Sequence, residues 1–142
     1  MPDVNVLVAG FRTDDDQHGP VKVWLEQALS GPEVVGLSDA VAAGFLRVVT
    51  HPRIFAKPTP IDQALVQLES LWSADGLIRV VPGRSFPAVF ARLCREVEAK
   101  GNLVADAAHA ATAIEAGATW VSLDRDFARF PGLSWTVPRA LP

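Results

Sequence analysis

Apolar runs alternate with stretches of helical spacing along the chain, and this change of period predicts strands that alternate with helices. The N-terminal run around Val6 is almost continuously apolar, which is typical of a strand buried on both faces of a parallel sheet. The later predicted strands are equally poor in polar residues. In chain order, the predicted strands cover residues 3–9, 34–37, 77–81, 119–123 and 133–137.

Apolar residues at helical spacing predict the remaining elements. Ser38 is expected to cap one helix, and Gly101 and Gly117 are expected to end two others. The predicted helices cover residues 18–29, the segment from Ser38 to Pro52, the segment introduced by Pro58 and Pro60 that includes Trp72, residues 87–100 and 103–115, and a short turn at 126–130. This order predicts an α/β protein: a three-layer α/β/α sandwich around a central parallel sheet of four to five strands.

Composition bounds the class of protein. The chain has 142 residues, of which 49% are hydrophobic and 20% charged. Disorder is therefore not expected, and without a repeat or linker residues 1–142 should form a single domain. No apolar run approaches the roughly 20 residues that span a bilayer, and the N-terminus lacks the basic region of a signal peptide, so a cytoplasmic protein is expected. Cys94 lies among apolar residues and should fill the core.

Four aspartates fall at the ends of predicted strands and helices: Asp3, Asp106, Asp124 and Asp126. Ligands bind outside the carboxyl ends of parallel strands, and Asp124 follows a predicted strand at that edge. Asp106 is expected near the packed face of its helix, where an unpaired carboxylate is costly. Carboxylates from distant segments suit one or two Mg²⁺ or Mn²⁺ ions, which can activate water for phosphodiester hydrolysis. Asp3 falls at the start of its predicted strand, which is an awkward fit.

Simpler roles remain open for these acids. Asp106 could respond to the dipole of a helix N-terminus, and either Asp124 or Asp126 could merely cap the short helical turn. His109 is expected on the helix surface or in the core rather than as a catalytic base. The net charge of −3 does not favour nucleic-acid binding, although bound divalent cations would lower the local negative charge.

Polar neighbours are candidates to support such a site. Asn5 should point to the same side of the predicted strand as Asp3. Ser122 could orient a metal-bound water or a neighbouring carboxylate. Asp39 follows the second predicted strand and should reach the same edge of the sheet.

Four segments then occur in order along the chain: Asp3-Val4-Asn5-Val6-Leu7, the stretch from Gly44 to Phe55, residues 101–107 and residues 122–133. Together they resemble PIN-domain ribonucleases of the VapC toxin type, over essentially the whole chain. The resemblance implies an endoribonuclease dependent on Mg²⁺ or Mn²⁺ that cuts RNA, such as tRNA or rRNA, and inhibits translation and growth. It also implies a small VapB-like antitoxin as partner and a homodimer or toxin–antitoxin hetero-oligomer.

The resemblance assigns Asp3, Asp106 and Asp124 as catalytic metal ligands and Asp126 as an additional acid. Arginines are candidates for RNA-phosphate contacts, because guanidinium groups fork onto phosphate oxygens, although ion pairs or simple exposure explain any one of them equally well. These arginines are Arg47, Arg53, Arg125 and Arg129.

One position departs from the family pattern. The family commonly has a glutamate on its second helix, where this chain has Gly44. Asp39, the nearest acid, would point about 140° away on a helix and is an imperfect substitute. The departure leaves an alternative open, a degenerate PIN fold that binds RNA or protein without cleavage. A phosphatase or receiver-like domain is a further alternative, but a receiver usually has a late lysine and none follows Lys100 here.

Overall fold

The computed structural model describes residues 1–139, in which helices and parallel strands alternate. The helices are α1 (Val4–Phe11), α2 (His18–Ser30), α3 (Asp39–Val49), α4 (Ile61–Trp72), α5 (Phe86–Glu96) and α6 (Asn102–Glu115). The strands are β1 (Val35–Ser38), β2 (Leu77–Val80), β3 (Trp120–Val121) and β4 (Trp135–Thr136), and a 3₁₀ helix (Arg125–Arg129) follows β3.

Every strand pairing in the described residues is parallel, as the sequence predicts. β1 pairs with β2, and β3 pairs with β4. Pro2 forms a further parallel bridge with Val121 on β3, and the Met1 side chain packs against Gly36 on β1. The N-terminal segment therefore contacts both pairs of strands and brings Asp3 to the carboxyl edge of β3.

The predicted strand at residues 3–9 is wrong, because this segment forms helix α1. A short, continuously apolar run fits a buried helix as well as a buried strand, so periodicity cannot separate them. Val6, Leu7 and Ala9 are fully buried on different sides of α1. The correction removes the misfit at Asp3, which follows the extended residues Met1 and Pro2 and caps α1 rather than starting a strand.

The C-terminal end of α5 also differs from the prediction. The helix ends at Glu96, and the amide groups of Glu98 and Ala99 donate to the carbonyls of Arg95 and Cys94. This is the Schellman pattern, with Glu98 in the left-handed conformation at φ 49° where glycine is usual. Gly101 instead precedes α6, so the prediction that it ends α5 is wrong.

Other boundaries were predicted closely. The Ser38 side chain accepts a hydrogen bond from the Val41 amide and caps α3. Gly117, at φ 61°, closes α6 with the Schellman pattern expected of glycine. β3 and β4 keep only two residues each and are shorter than predicted, whereas β1 has the four residues predicted, shifted by one position, and β2 loses one. Cys94 packs against the core, as predicted.

A close approach of α1 and α3 fixes the helix that begins at Asp3. A Cβ atom on Gly44 of α3 would lie 2.7 Å from Cγ2 of Val4, so only glycine fits the present spacing. Phe45, the next residue of α3, is fully buried and its ring packs on Phe11 at the other end of α1.

No helix in residues 1–139 has the length and apolar character of a membrane span.

Candidate active site

The Asp3 carboxylate is buried and held by three hydrogen bonds. Its Oδ1 atom accepts from the Val4 amide at 2.6 Å, and its Oδ2 atom accepts from Ser122 Oγ at 2.6 Å and Asn5 Nδ2 at 2.9 Å. A carboxylate has about four lone-pair positions, so one position on Oδ1 remains for a further partner. Asp3 is therefore fixed in place and still able to bind a cation.

Ser122 and Asn5 tie the loop after β3 to the start of α1. Ser122 is fully buried, and its Oγ atom accepts hydrogen bonds from the Asp124 amide at 2.9 Å and from Asn5 Nδ2 at 3.0 Å. The Asn5 Oδ1 atom accepts from the Leu123 amide at 3.1 Å. Asn5 thus lies beside Asp3 because both residues are at the start of α1. The predicted proximity of the two is confirmed, but strand alternation is not its cause.

Asp106 lies half-buried on α6 without a hydrogen-bond partner for its carboxylate in the described residues. Burial raises its pKa to about 6, and the charges of Asp3, Asp124 and Asp126 raise it further in the same direction. The residue is the fifth of α6 and lies beyond the first turn, which excludes the alternative role at the helix dipole. The four acids therefore share one electrostatic environment.

Asp124 and Asp126 are both exposed at the start of the 3₁₀ helix. The Asp126 amide donates to Asp124 Oδ1 at 2.8 Å, so Asp124 is the capping residue of the pair. This bond occupies one oxygen of Asp124 and leaves the other free. Capping and metal ligation are thus compatible at Asp124.

Within residues 1–139, the acidic cluster has no Arg or Lys ion-pair partner. The ion pairs in residues 1–139 join other side chains, namely Arg12–Asp14, Lys22–Glu26, Arg79–Asp39 and Arg92–Glu96. Burial raises the pKa of Asp3, and the hydrogen bonds from Ser122 and Val4 and the charge of His109 act in the opposite direction. Oxygen donors with excess negative charge are the ligand set that Mg²⁺ prefers, so the residues fit a hard divalent cation.

The cluster is not arranged as a finished coordination sphere. Within residues 1–139, no three His, Cys, Asp or Glu side chains converge closely enough to hold one ion in their present rotamers. Asp3 is locked by its hydrogen bonds, whereas Asp106 and Asp126 are not held by any hydrogen bond to their carboxylates in that part of the chain. The cluster therefore combines one carboxylate that is held in place, Asp3, with carboxylates that can reorient.

Asp39 has a different partner from the one expected. Its carboxylate receives two hydrogen bonds from Arg79 of β2, at 2.8 and 2.5 Å, and these bonds hold the pKa of Asp39 below its ordinary value. No charge interaction joins it to Asp3 or Asp106. The structure therefore places Asp39 in a surface ion pair rather than in the acidic cluster.

The candidate arginines fall into two groups. Arg125 and Arg129 lie on the 3₁₀ helix directly after Asp124 and are exposed. Arg47 lies in the last turn of α3, and Arg53 lies in the loop that follows it.

The loop that contains Arg53 lies at the C-terminal end of α1, away from Asp3. Arg12, which follows α1, donates hydrogen bonds to Thr59 Oγ1 and to the Lys57 carbonyl. At about 1.5 Å per residue, this end of α1 is about 12 Å from the end at Asp3. Arg125 is therefore better placed than Arg53 for a phosphate at the acids.

His109 is a neighbour whose position the sequence reasoning did not exploit. It lies one turn after Asp106, and its ring stacks on Trp120 with centroids 5.2 Å apart. Burial lowers its pKa, while the charge of Asp3 raises it. The three-residue spacing from Asp106 was the available signal, because such residues share a helix face. The packing on Trp120 agrees with the core role expected for this histidine.

A family model for the PIN domain matches residues 1–133. The chain belongs to the PIN-domain family. Its relatives include Ribonuclease VapC43 of Mycobacterium tuberculosis, 43% identical over 136 residues that cover 96% of this chain and 92% of the relative. Ribonuclease VapC37 of the same species is 37% identical over 139 residues, which cover 98% and 96% of the two chains.

Solved structures show the same PIN fold. VapBC2 from Rickettsia felis, bound to a DNA fragment from its promoter, gives a TM-score of 0.71 at 22% identity and covers 96% of each chain. VapC20 of Mycobacterium tuberculosis, a sarcin–ricin loop cleaving toxin, gives 0.62 at 20% identity and covers 94% of this chain and 97% of that one. The predicted PIN-like α/β fold is thereby confirmed.

Proposed function

We propose that this PIN-domain protein is a VapC-type toxin, an endoribonuclease that uses Mg²⁺ or Mn²⁺ to cut RNA. The observation that carries the proposal is the grouping of Asp3, Asp124 and Asp126 around the half-buried Asp106, close enough for their charges to act on it, without an Arg or Lys ion-pair partner for any of the four in residues 1–139. The ribonuclease names of relatives up to 43% identical support the same chemistry.

Asp3, Asp106 and Asp124 are the proposed ligands, with Asp126 as a further acid. A bound divalent ion would supply a water nucleophile near neutral pH and neutralise charge on the attacked phosphate. Asp3 offers its remaining lone pair from a position fixed by Ser122. Ion binding requires Asp106 and Asp124 to turn toward the ion. The exposure of Asp124 permits that adjustment, and so does the absence of a hydrogen bond to the Asp106 carboxylate within residues 1–139.

The partners follow from the same family. An RNA substrate such as tRNA or rRNA fits the ribonuclease names of the relatives, and one structural neighbour of this chain is a sarcin–ricin loop cleaving toxin. A small VapB-like antitoxin, in a toxin–antitoxin hetero-oligomer or with a homodimer of this chain, fits the VapBC2 assembly. We place the activity in the cytoplasm, where such RNA is made and used.

A binding module without cleavage is the second candidate, and Gly44 favours it. The space where a side chain would begin is filled by Val4, so α3 contributes no acid at the position the family commonly uses. On this alternative the fold holds RNA or a protein partner while the ion site is too weak to support hydrolysis.

RNA cleavage by the purified protein separates the two. We expect wild type to cut RNA with Mg²⁺ or Mn²⁺ and not with EDTA, and Asp106→Asn to be slower by on the order of 100-fold or more. Asp75→Asn, in an exposed turn outside the cluster, is the matched control and should cut like wild type. Binding of RNA without cleavage by wild type would favour the binding module, and undiminished cleavage by Asp106→Asn would reject the proposed site.

A further inference from the structure

An open hollow of about 370 Å³ lies between the end of α5 and the 3₁₀ helix that follows Asp124. Arg95, in the last turn of α5, and Arg129, the last residue of the 3₁₀ helix, line it together with residues 96–98. Both arginines are exposed, and neither has an ion-pair partner in the described part of the chain. Two unpaired guanidinium groups on separate elements therefore face one hollow.

The acids near the hollow do not neutralise these arginines. Glu96 is held by Arg92 at 2.8 Å, one helical turn away on α5. Arg92 also lies near the loop after the 3₁₀ helix, since its Nη2 atom is 4.0 Å from the position of a Cβ on Gly132. Glu98 is the remaining acid, and it is exposed without an ion pair in residues 1–139. Arginines thus outnumber glutamates here, although the whole chain carries a net charge of −3.

The hollow is close enough to the acidic cluster for one RNA strand to reach both. Asp124 caps the 3₁₀ helix and Arg129 ends it, so the two residues are separated by about 10 Å at a rise of about 2 Å per residue. Arg125, next to Asp124, is also exposed. A negatively charged chain positioned at the acids can therefore continue along this helix to Arg129 and Arg95.

We propose that Arg95 and Arg129 form a subsite for a backbone phosphate of the RNA that flanks the cut. This inference rests on the proposed ribonuclease function. The guanidinium fork matches phosphate oxygens. Arg125 adds a further exposed guanidinium group beside Asp124, about 8 Å from Arg129 along the same 3₁₀ helix. Contacts with backbone phosphates position a strand but do not read its sequence. The subsite therefore contributes to the affinity and register of any RNA. The negative charge of Glu98 weakens phosphate binding there.

Salt-dependent RNA binding tests the subsite. The probe is a fluorescent single-stranded RNA oligonucleotide, titrated by anisotropy at several KCl concentrations with protein carrying Asp106→Asn to prevent cleavage. Arg95→Ala and Arg129→Ala should each weaken binding several-fold and reduce the slope of log affinity against log salt by roughly 0.7. Arg84→Ala is the matched control, because this exposed arginine precedes the opposite end of α5, and it should leave affinity and slope unchanged.

Glu98→Gln gives a second, independent measurement, because removing this charge should tighten RNA binding rather than weaken it. The subsite is overturned if the Arg95→Ala/Arg129→Ala double variant, folded by circular dichroism, keeps the affinity and slope of Arg84→Ala. It is also overturned if the double variant loses binding to an acidic peptide while retaining RNA.

A failure of the proposed ribonuclease function would give a different experimental result. Wild-type protein is assayed on the same RNA with Mg²⁺, and absence of cleavage there rejects the ribonuclease proposal. A reduced salt slope in the arginine variants would then still establish a phosphate subsite on an RNA-binding protein.

Discussion

The Ser122 hydroxyl donates a 2.6 Å hydrogen bond to the buried carboxylate of Asp3, across a sequence separation of 119 residues. The same oxygen accepts the Asp124 amide, so one side chain joins the two segments that supply proposed metal ligands. Burial raises the pKa of Asp3, and this hydrogen bond is the largest influence that lowers it. Ser122 therefore sets both the position and the charge of Asp3.

Ser122→Ala should lower the free energy of unfolding by about 1–3 kcal/mol, because it leaves a buried carboxylate and the Asp124 amide short of a partner. Urea denaturation at pH 7.5 measures the change. Ser134→Ala is the matched control: Ser134 is exposed, its side-chain contact with Thr119 is 3.2 Å long, and its loss should cost less than about 0.5 kcal/mol. Equal effects of the two substitutions would contradict the assigned role of Ser122.

Asp106→Asn should stabilise the metal-free protein at pH 7.5. The pKa of Asp106 rises from 3.8 to about 6 on folding, so the folded state binds more protons than the unfolded state between these values. Stability from this group is present below about pH 4 and is lost as the pH rises through 6. The largest gain from asparagine is about 3 kcal/mol, and partial exposure reduces it to about 1–2 kcal/mol.

Thermal or urea unfolding in EDTA at pH 4 and pH 7.5 checks this prediction. The difference between Asp106→Asn and wild type should shrink toward zero at the lower pH, and Asp75→Asn should show no such trend. A difference that is absent at pH 7.5, or that is the same at both values, would show that burial and the neighbouring carboxylates do not disfavour the charged form of Asp106 as described.

Gly44→Ala should destabilise the protein, although alanine is normally the better helix former by about 1 kcal/mol. The added Cβ would meet Val4 Cγ2 at 2.7 Å, and such overpacking costs about 1–3 kcal/mol. Val4→Ala removes the obstructing methyl groups, so the double variant should be more stable than the sum of the single effects predicts. A double-mutant cycle by urea unfolding measures this coupling, and strictly additive changes would argue against a contact between these helices at Gly44.

Glu98→Gly should raise the free energy of unfolding by about 1 kcal/mol, because a non-glycine residue is strained in the left-handed conformation. Gly117→Ala is the mirror experiment at the end of α6 and should cost a similar amount, since Gly117 has the same hydrogen-bond pattern. Opposite signs for the two substitutions in denaturant unfolding are the expected result. A loss of stability in Glu98→Gly would mean that its side chain contributes more than its backbone conformation costs.

These two helix ends also show what the sequence could and could not predict. Gly117 predicts the end of α6 because glycine is the usual residue in the left-handed position after a helix. α5 ends in the same way at Glu98, but glutamate gives no such signal, and the nearby glycine at position 101 draws the prediction to the wrong residue. The prediction fails at α1 for another reason, since a short, fully buried apolar run has no polar face that distinguishes a helix from a strand.

The candidate site shows a similar division. Asp3, Asp106 and Asp124 stand out in the sequence because they fall near the ends of predicted strands and helices, where chain segments converge, and the structure gives them one electrostatic environment. The ion pair between Asp39 and Arg79 joins residues 40 positions apart and has no local signal. The hollow at Arg95 depends in the same way on how α5 packs beside the 3₁₀ helix.

Calorimetric titration of Mn²⁺ into the purified protein tests most directly whether the acidic cluster is a metal site. We predict saturable binding to wild type and to Asp75→Asn, and binding to Asp106→Asn that is weaker by at least about 10-fold. Absence of Mn²⁺ binding to wild type, or equal binding to Asp106→Asn, would contradict the account.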